Sequence, residues 1–223
     1  MTTRKMGNYN NSKNKSTYLS WLRQMYGWSE IFYAGMNQTH GNTVQMVKNQ
    51  DIKEYMHTDG LVTSRANIFL MVNTADCVPI FLYDPKLAAI GIIHAGWKGT
   101  LGTIISNTIA KLQDIGSDPK NIYAAIGPHI GGCCYSVNED RAQVFQALFQ
   151  NNLVVFQEND IWNIDLGLAN KLQLLESGVW ETHIDAPITC TSCQNHLYFS
   201  YRKDSQESFG EMLGIIGMNA HAN

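Results

Sequence analysis

The feature that most constrains this chain is a pair of apolar runs, residues 79–83 and 88–94, separated by Asp84-Pro85-Lys86. Short apolar runs on either side of a polar, proline-containing turn predict two neighbouring antiparallel strands. Whatever precedes the first strand and whatever ends the second must then meet at one end of a sheet. Cys77 precedes the first, in the polar break Thr74-Ala75-Asp76-Cys77, and His94 ends the second, ahead of Ala95-Gly96-Trp97-Lys98-Gly99. A thiol and an imidazole are therefore expected side by side.

Further strands are predicted over 30–34, 68–73, 122–126 and the aromatic run 197–201. Helical spacing of apolar residues marks three segments. In 102–113, Ile104, Ile105, Thr108, Ile109 and Leu112 share a face. In 139–149 the stripe is Val144, Phe145, Leu148 and Phe149, and in 165–177 it is Leu166, Ala169, Leu172 and Leu175, with Gly178 as the stop. Hairpin-like pairs mixed with helices predict α+β layers rather than a regular βαβ alternation. No repeat or linker divides the chain, and 223 residues at 44% hydrophobic content supply one core. The expected organisation is a flexible N-terminal tail over 1–16 and a single domain over 17–223.

Charge excludes several partners. With 16 Lys+Arg against 19 Asp+Glu, the net charge of -3 gives no electrostatic case for nucleic acid or an anionic membrane. No apolar stretch approaches the roughly 20 residues of a membrane-crossing helix, and residues 1–16 lack the apolar centre of a secretory signal. The five cysteines are odd in number and sit in no disulfide framework. A reducing cytoplasm is the expected setting, with thiols available for metal binding or catalysis.

His40, within Gln38-Thr39-His40-Gly41-Asn42, is the third ligand candidate, with Gly41 expected to supply the tight turn. Two imidazoles and a thiolate leave a fourth tetrahedral position open, the pattern of a catalytic zinc site. Asp76 is the candidate general base or ligand-orienting group. The same atoms support a metal-free reading in which Cys77 is a nucleophile and His40 or His94 its base. The long ligand spacings match no local metal motif, so the residues alone leave both readings open.

Four other features are candidates for substrate contact. The glycine-rich stretch from Gly127 through Cys133-Cys134-Tyr135 can offer backbone N–H groups to an anion, although it lacks the lysine of a nucleotide-binding loop. The competing reading is a tight structural loop holding two buried thiols. Arg65 and Arg202, the latter beside Lys203, can hold phosphate or carboxylate. Trp97 can stack on a purine, or simply pack. The single pair Cys190-Thr191-Ser192-Cys193 is a weak zinc or redox signal and is read as structurally incidental.

Taken together, the segments Gln38-Thr39-His40-Gly41, Asp59-Gly60-Leu61-Val62-Thr63, Thr74-Ala75-Asp76-Cys77-Val78-Pro79, His94-Ala95-Gly96-Trp97-Lys98-Gly99 and Ile126-Gly127-Pro128-His129 occur in an order that resembles one family. It is the YfiH-like, or polyphenol oxidase (laccase) domain, family, described as purine nucleoside phosphorylases. The resemblance spans residues 30–217. It implies an α+β layered sandwich with mixed β-sheets, shared with cysteine-deamidase toxins. It also implies a zinc ion, with copper the second choice, on the residues matching His40, Cys77 and His94. The partners implied are a purine nucleoside and phosphate: phosphorolysis of adenosine, inosine, guanosine or methylthioadenosine, with adenosine deamination beside it. The laccase label implies a multicopper enzyme, for which the seven histidines of this chain are too few. Two departures stand out. Arg202-Lys203 replaces the family's paired arginines, and Phe209-Gly210-Glu211 stands where Thr-Gly-Arg is usual. Glu211 reverses a charge suited to phosphate. Rival expectations are a metal-free cysteine amidohydrolase acting on a peptide or cell-wall precursor, and a protein that binds nucleoside without turning it over.

Overall fold

The expected hairpin forms the centre of the molecule. In the computed structural model, which describes residues 1–9, 17, 20, 23–24, 32–49, 53–204 and 210–219, strands β6 (Val78–Asp84) and β7 (Ala89–Ala95) pair antiparallel, with Pro79 opposite His94. The turn is held by Asp84, whose carboxylate accepts from the Lys86 and Leu87 amides and from the Ser117 hydroxyl.

Around this pair a six-stranded mixed sheet runs in the order β12-β8-β6-β7-β4-β2. The added strands are β2 (Val44–Met46), β4 (Gly60–Thr63), β8 (Tyr123–Ile126) and β12 (Ile184–Asp185). A four-stranded sheet, β13-β5-β1-β3, combines β1 (Phe32–Met36), β3 (Lys53–Tyr55) and β5 (Ile68–Thr74) with the antiparallel β13 (Met212–Gly217). A smaller antiparallel sheet holds β9 (Ser136–Val137), β10 (Val155–Glu158) and β11 (Ile161–Ile164). The molecule is thus a layered mixed α/β structure with several mixed sheets, as the resemblance implied.

Strand β7 shows why no polar alternation marks it in the sequence. Ile90 and Ile92 face a core shared with Leu70 and Val72 of the four-stranded sheet. Ala89, Ile93 and Ala95 face a second core, shared with Ile104, Ile105, Ile109 and Leu112 of a helix. A strand covered on both faces is apolar throughout. His94 has the parity of Ile90 and Ile92, so it emerges on the side of the four-stranded sheet.

Among the described residues the continuous α-helices are α1 (Trp97–Leu101), α2 (Ile104–Gln113), α3 (Glu139–Phe149) and α4 (Leu166–Glu176). α2 buries the predicted face. Asn138 and Asp165 cap α3 and α4 by accepting from Arg141 N and Leu168 N. Two predicted stripes are wrong in detail. On α3 only Ala142 and Phe145 are buried, while Val144 and Leu148 are exposed. On α4 the buried face is turned to include Asn170 and Gln173, whose amides donate to the Thr100 side chain and carbonyl. Periodicity could not show this, because a polar residue enters a core only when a partner from another element satisfies it.

The expected strand over 197–201 is instead turn, bend and irregular chain. Two of its carbonyls are taken by the N-terminus: Arg4 N donates to Leu197 O, and the Arg4 guanidinium to Tyr198 O as well as to Asp204. Of the expected tail, residues 10–16 lie outside the described residues. Residues 1–9 pack along β13, with Thr2 and Leu213 exchanging hydrogen bonds and Tyr9 buried. Glu30, Ile31 and Phe209 also lie outside the described residues.

Gly99 in α1 marks a close approach that the site depends on. A Cβ there would stand 2.7 Å from the Gly41 carbonyl oxygen, which is backbone and has no rotamer to yield. Gly99→Ala is expected to cost about 1–3 kcal/mol of stability by overpacking, read from chemical denaturation midpoints at constant slope.

Candidate metal centre and cleft

The ligand atoms of His40, Cys77 and His94 all lie within 4.8 Å of one another. Each arrives from a different element. His94 is the penultimate residue of β7, Cys77 directly precedes β6, and His40 stands in the loop between β1 and β2. The two imidazole rings meet edge to face with centroids 4.7 Å apart. Gly96 leaves the space they need, since a Cβ there would lie 3.1 Å from both Cys77 Sγ and His40 Cδ2.

A residue overlooked among the sequence candidates organises this cluster. The buried carboxylate of Asp59 accepts from His94 Nδ1 at 2.9 Å and from the backbone amides of His40 (2.9 Å), Gly41 (2.8 Å) and Thr39 (3.2 Å). The Thr39 hydroxyl adds a further donor. Asp59 immediately precedes β4, which pairs with β7, and its carbonyl accepts from His94 N. Only a carboxylate accepts this many donors at once. Asp59 lay within a segment carrying the family resemblance, but its role needs the β4–β7 pairing to be visible.

The backbone of His40 itself takes the left-handed conformation, with φ 59°. Gly41 was expected to provide that turn. Instead the three amides converging on Asp59 hold a non-glycine residue in a conformation that is usually costly.

The electrostatics suit a cation. Burial pushes the Cys77 thiol up, but the charge on His94 and hydrogen bonds from both imidazoles outweigh it and bring the group down to about 6. Burial likewise lowers His94, while the Cys77 charge and the Asp59 hydrogen bond carry it well above the usual imidazole range. Asp59 is raised by burial and lowered further by its donors, to about 2. Cys77 and the Asp59-bound His94 thus form a thiolate–imidazolium pair, from which a metal would displace one proton, beside the exposed ring of His40. This donor set fits a borderline metal such as zinc, with the carboxylate–histidine pairing that orients such ligands.

The cluster lies in the wall of a cleft of about 720 Å³, which also takes in Trp97, Tyr135, Arg141, Tyr201, Arg202 and Glu211. Arg141 is a second cleft residue that no local motif marks in the sequence. Its guanidinium stacks over Trp97 at 4.1 Å. Arg202 lies over the Tyr135 ring at 4.9 Å, and its Nη1 donates to Ser136 O. Asp76 lines the cleft too, its oxygens accepting from Thr191 Oγ1 and Arg202 N at 2.6 and 2.8 Å. Glu211 is held by Asn73 Nδ2 at 2.7 Å.

Two sequence candidates fall elsewhere. Arg65 follows the far end of β4, about 20 Å along the chain direction from Asp59, beside Lys48 and Asn49. Gly127 does not offer its N–H to an anion, because that group donates to Pro79 O. The next N–H groups are also taken: His129 by Thr189 O, Ile130 by Asp76 O and Gly131 by Cys190 Sγ. Nor are the two thiols of that loop buried, for Cys133 is exposed and Cys134 half-buried.

Comparison with known proteins agrees with this architecture. Residues 10–219 match the model of the family described as multi-copper polyphenol oxidoreductase laccase. The chain belongs to this family. It is 38% identical over 193 residues to the purine nucleoside phosphorylase YlmD of Bacillus subtilis (strain 168), covering 82% of this chain and 69% of that protein. A purine nucleoside phosphorylase of Deinococcus radiodurans is 36% identical over 197 residues, covering 88% of this chain and 74% of that one. The crystal structure of the hypothetical protein YfiH of Bacillus licheniformis superposes with a TM-score of 0.80 at 30% identity, covering 89% of this chain and 79% of that chain. For YlmD of Geobacillus stearothermophilus the values are 0.79 and 32%, with 89% and 78% covered. Among the described residues no helix is long and apolar enough to cross a membrane.

Asp59→Asn keeps the shape but removes the charge and one acceptor oxygen. Zinc affinity at the His40/Cys77/His94 centre is expected to fall about 10–100-fold, measured by competition with a chelating dye.

Proposed function

We propose that this chain is a zinc-dependent purine nucleoside phosphorylase in which residues 17–223, together with the packed residues 1–9, act as one catalytic domain. The observation that carries the reading is the convergence of His40, Cys77 and His94 beside two arginines and three aromatic rings in one cleft. The phosphorylase names of the relatives support it. The volume is in the range of small-molecule sites.

When bound, zinc supplies a Lewis-acid centre with an open position for an anionic oxygen. The remaining roles fall to side chains of the chain. Arg141 and Arg202 are positioned to hold phosphate, and the faces of Trp97, Tyr135 and Tyr201 to bracket a purine. Phosphorolysis breaks the glycosidic bond as a phosphate oxygen attacks the anomeric carbon, and the purine leaves with a proton. Holding both reactants in a partly closed cleft supplies proximity and lowers the cost of charge separation. Adenosine, inosine, guanosine and methylthioadenosine are the proposed substrates. Deamination of adenosine is assigned to the same cleft, with Asp76 as proton carrier. Each Asp76 oxygen retains a lone pair beyond the hydrogen bond it accepts.

One observation favours a second reading. Cys77, His94 and Asp59 form a thiolate–imidazole–carboxylate series, with the carboxylate on Nδ1 at 2.9 Å, which is the arrangement of a cysteine hydrolase. The two readings separate on chelation, which stops the phosphorylase and spares the hydrolase. A multicopper oxidase is not supported. Among the described residues two ligand clusters occur, and only one contains histidine.

Cys77→Ala is expected to lose the zinc of this centre and phosphate-dependent release of hypoxanthine from inosine. Unchanged metal content with unchanged turnover would end the proposal. Glu211→Gln preserves the bond to Asn73 but removes a negative charge from the cleft. It is expected to lower the KM for phosphate about five-fold, with the KM for nucleoside changed little.

A further inference from the structure

The second cluster of soft ligands lies outside the cleft. Cys133 and Cys134 stand in the turn after β8, and Cys190 and Cys193 in the turn after β12. All four sulfurs are within 4.8 Å of one another. Cys193 Sγ is 3.6 Å from Cys133 Sγ and 3.4 Å from Cys134 Sγ. Four sulfurs around zinc at about 2.3 Å would be about 3.8 Å apart along the edges of the tetrahedron.

A second observation concerns the backbone. The amides of Gly131 and Cys193 both point at Cys190 Sγ, at 3.3 and 3.5 Å. Hydrogen bonds to sulfur stabilise it as a ligating thiolate. The amide of Cys193 reaching back to Cys190 is the turn by which a Cys-x-x-Cys pair aims both sulfurs at one point. The two loops are brought together independently of the sulfurs, by His129 N donating to Thr189 O and Thr191 N to His129 O. All five cysteines are free.

We propose that Cys133, Cys134, Cys190 and Cys193 bind a structural zinc ion distinct from the His40/Cys77/His94 centre. Four thiolates close the coordination sphere, so the ion has no position for substrate. Each thiol releases its proton to solvent as its sulfur becomes a ligand, and no electron is transferred. Exposure of Cys133 and Cys193 gives the ion its route in. The ion clamps two loops that carry cleft residues. Tyr135 follows Cys134, and Thr191, inside the Cys-x-x-Cys, holds Asp76 next to Cys77. Sulfur-only ligation selects zinc over the oxygen-seeking metals, and iron is the competitor the test must exclude.

The test is metal counting on the full chain, with cobalt(II) as spectroscopic probe. Wild-type protein is expected to hold about two zinc ions per chain, Cys77→Ala about one, and Cys193→Ser about one. Cobalt-loaded Cys77→Ala should show the intense visible bands of a tetrahedral thiolate site, and Cys77→Ala/Cys193→Ser should lose them. Far-UV circular dichroism checks that each variant is folded. Should Cys77→Ala fail to fold, the wild-type and Cys193→Ser counts decide the matter. Folded Cys77→Ala without zinc or cobalt, iron at this site, or a disulfide among these four cysteines by mass spectrometry would each overturn the proposal. Failure of the phosphorylase reading would appear separately, as wild-type protein that retains its metal without releasing purine base.

Discussion

The carboxylate of Asp59 is the constraint on which the site depends. It draws the amides of Thr39, His40 and Gly41 and the Nδ1 of His94 onto two oxygen atoms in a position shielded from water. Buried charge is tolerated only when it is fully hydrogen-bonded. The loop and the strand are thus bound to each other because neither can leave without stranding the charge. The left-handed backbone of His40 and the contact of α1 at Gly99 follow from the same requirement.

From that point the cleft is assembled in steps. The β6–β7 hairpin sets Cys77 against His94. Asn170 and Gln173 of α4 fasten Thr100 of α1, which places Trp97 beyond His94. Arg141, in the first turn of α3, stacks on Trp97. On the other side, Thr191 and the amide of Arg202 anchor Asp76, so the loop carrying Arg202 is tied to the residue preceding Cys77. Basic and aromatic groups from four separate stretches of chain meet around one cluster. The clamp proposed for the four cysteines acts on two of those stretches.

The sequence is most legible where local chemistry dominates. The hairpin, the buried face of α2 and the ends of α3 and α4 were legible, because turn residues, caps and periodicity act within a few residues. The convergence of His40, Cys77 and His94 was anticipated from the strand ends and from the family resemblance. The short strands β2, β3, β9 and β12 were not, since two or three residues carry no period. The aromatic run over 197–201 misled for a related reason. Its composition suits a strand, but the carbonyls of Leu197 and Tyr198 are claimed by Arg4, almost the whole chain away, and that of Ser200 by a local turn.

What the sequence determined by itself was the supply of ligands and the ends of elements at which they stand. Residue type and the period of the local backbone are enough for that. Tertiary structure decided which charges face one another. Arg65 and Arg202 read alike in sequence, yet one caps the far end of a strand and the other lines the cleft. Cys190 and Cys193 read as incidental until the turn after β8 brought Cys133 and Cys134 against them. Such meetings depend on strand order and register. These are settled by the burial of both faces of β7, a property of the whole core that no short segment contains.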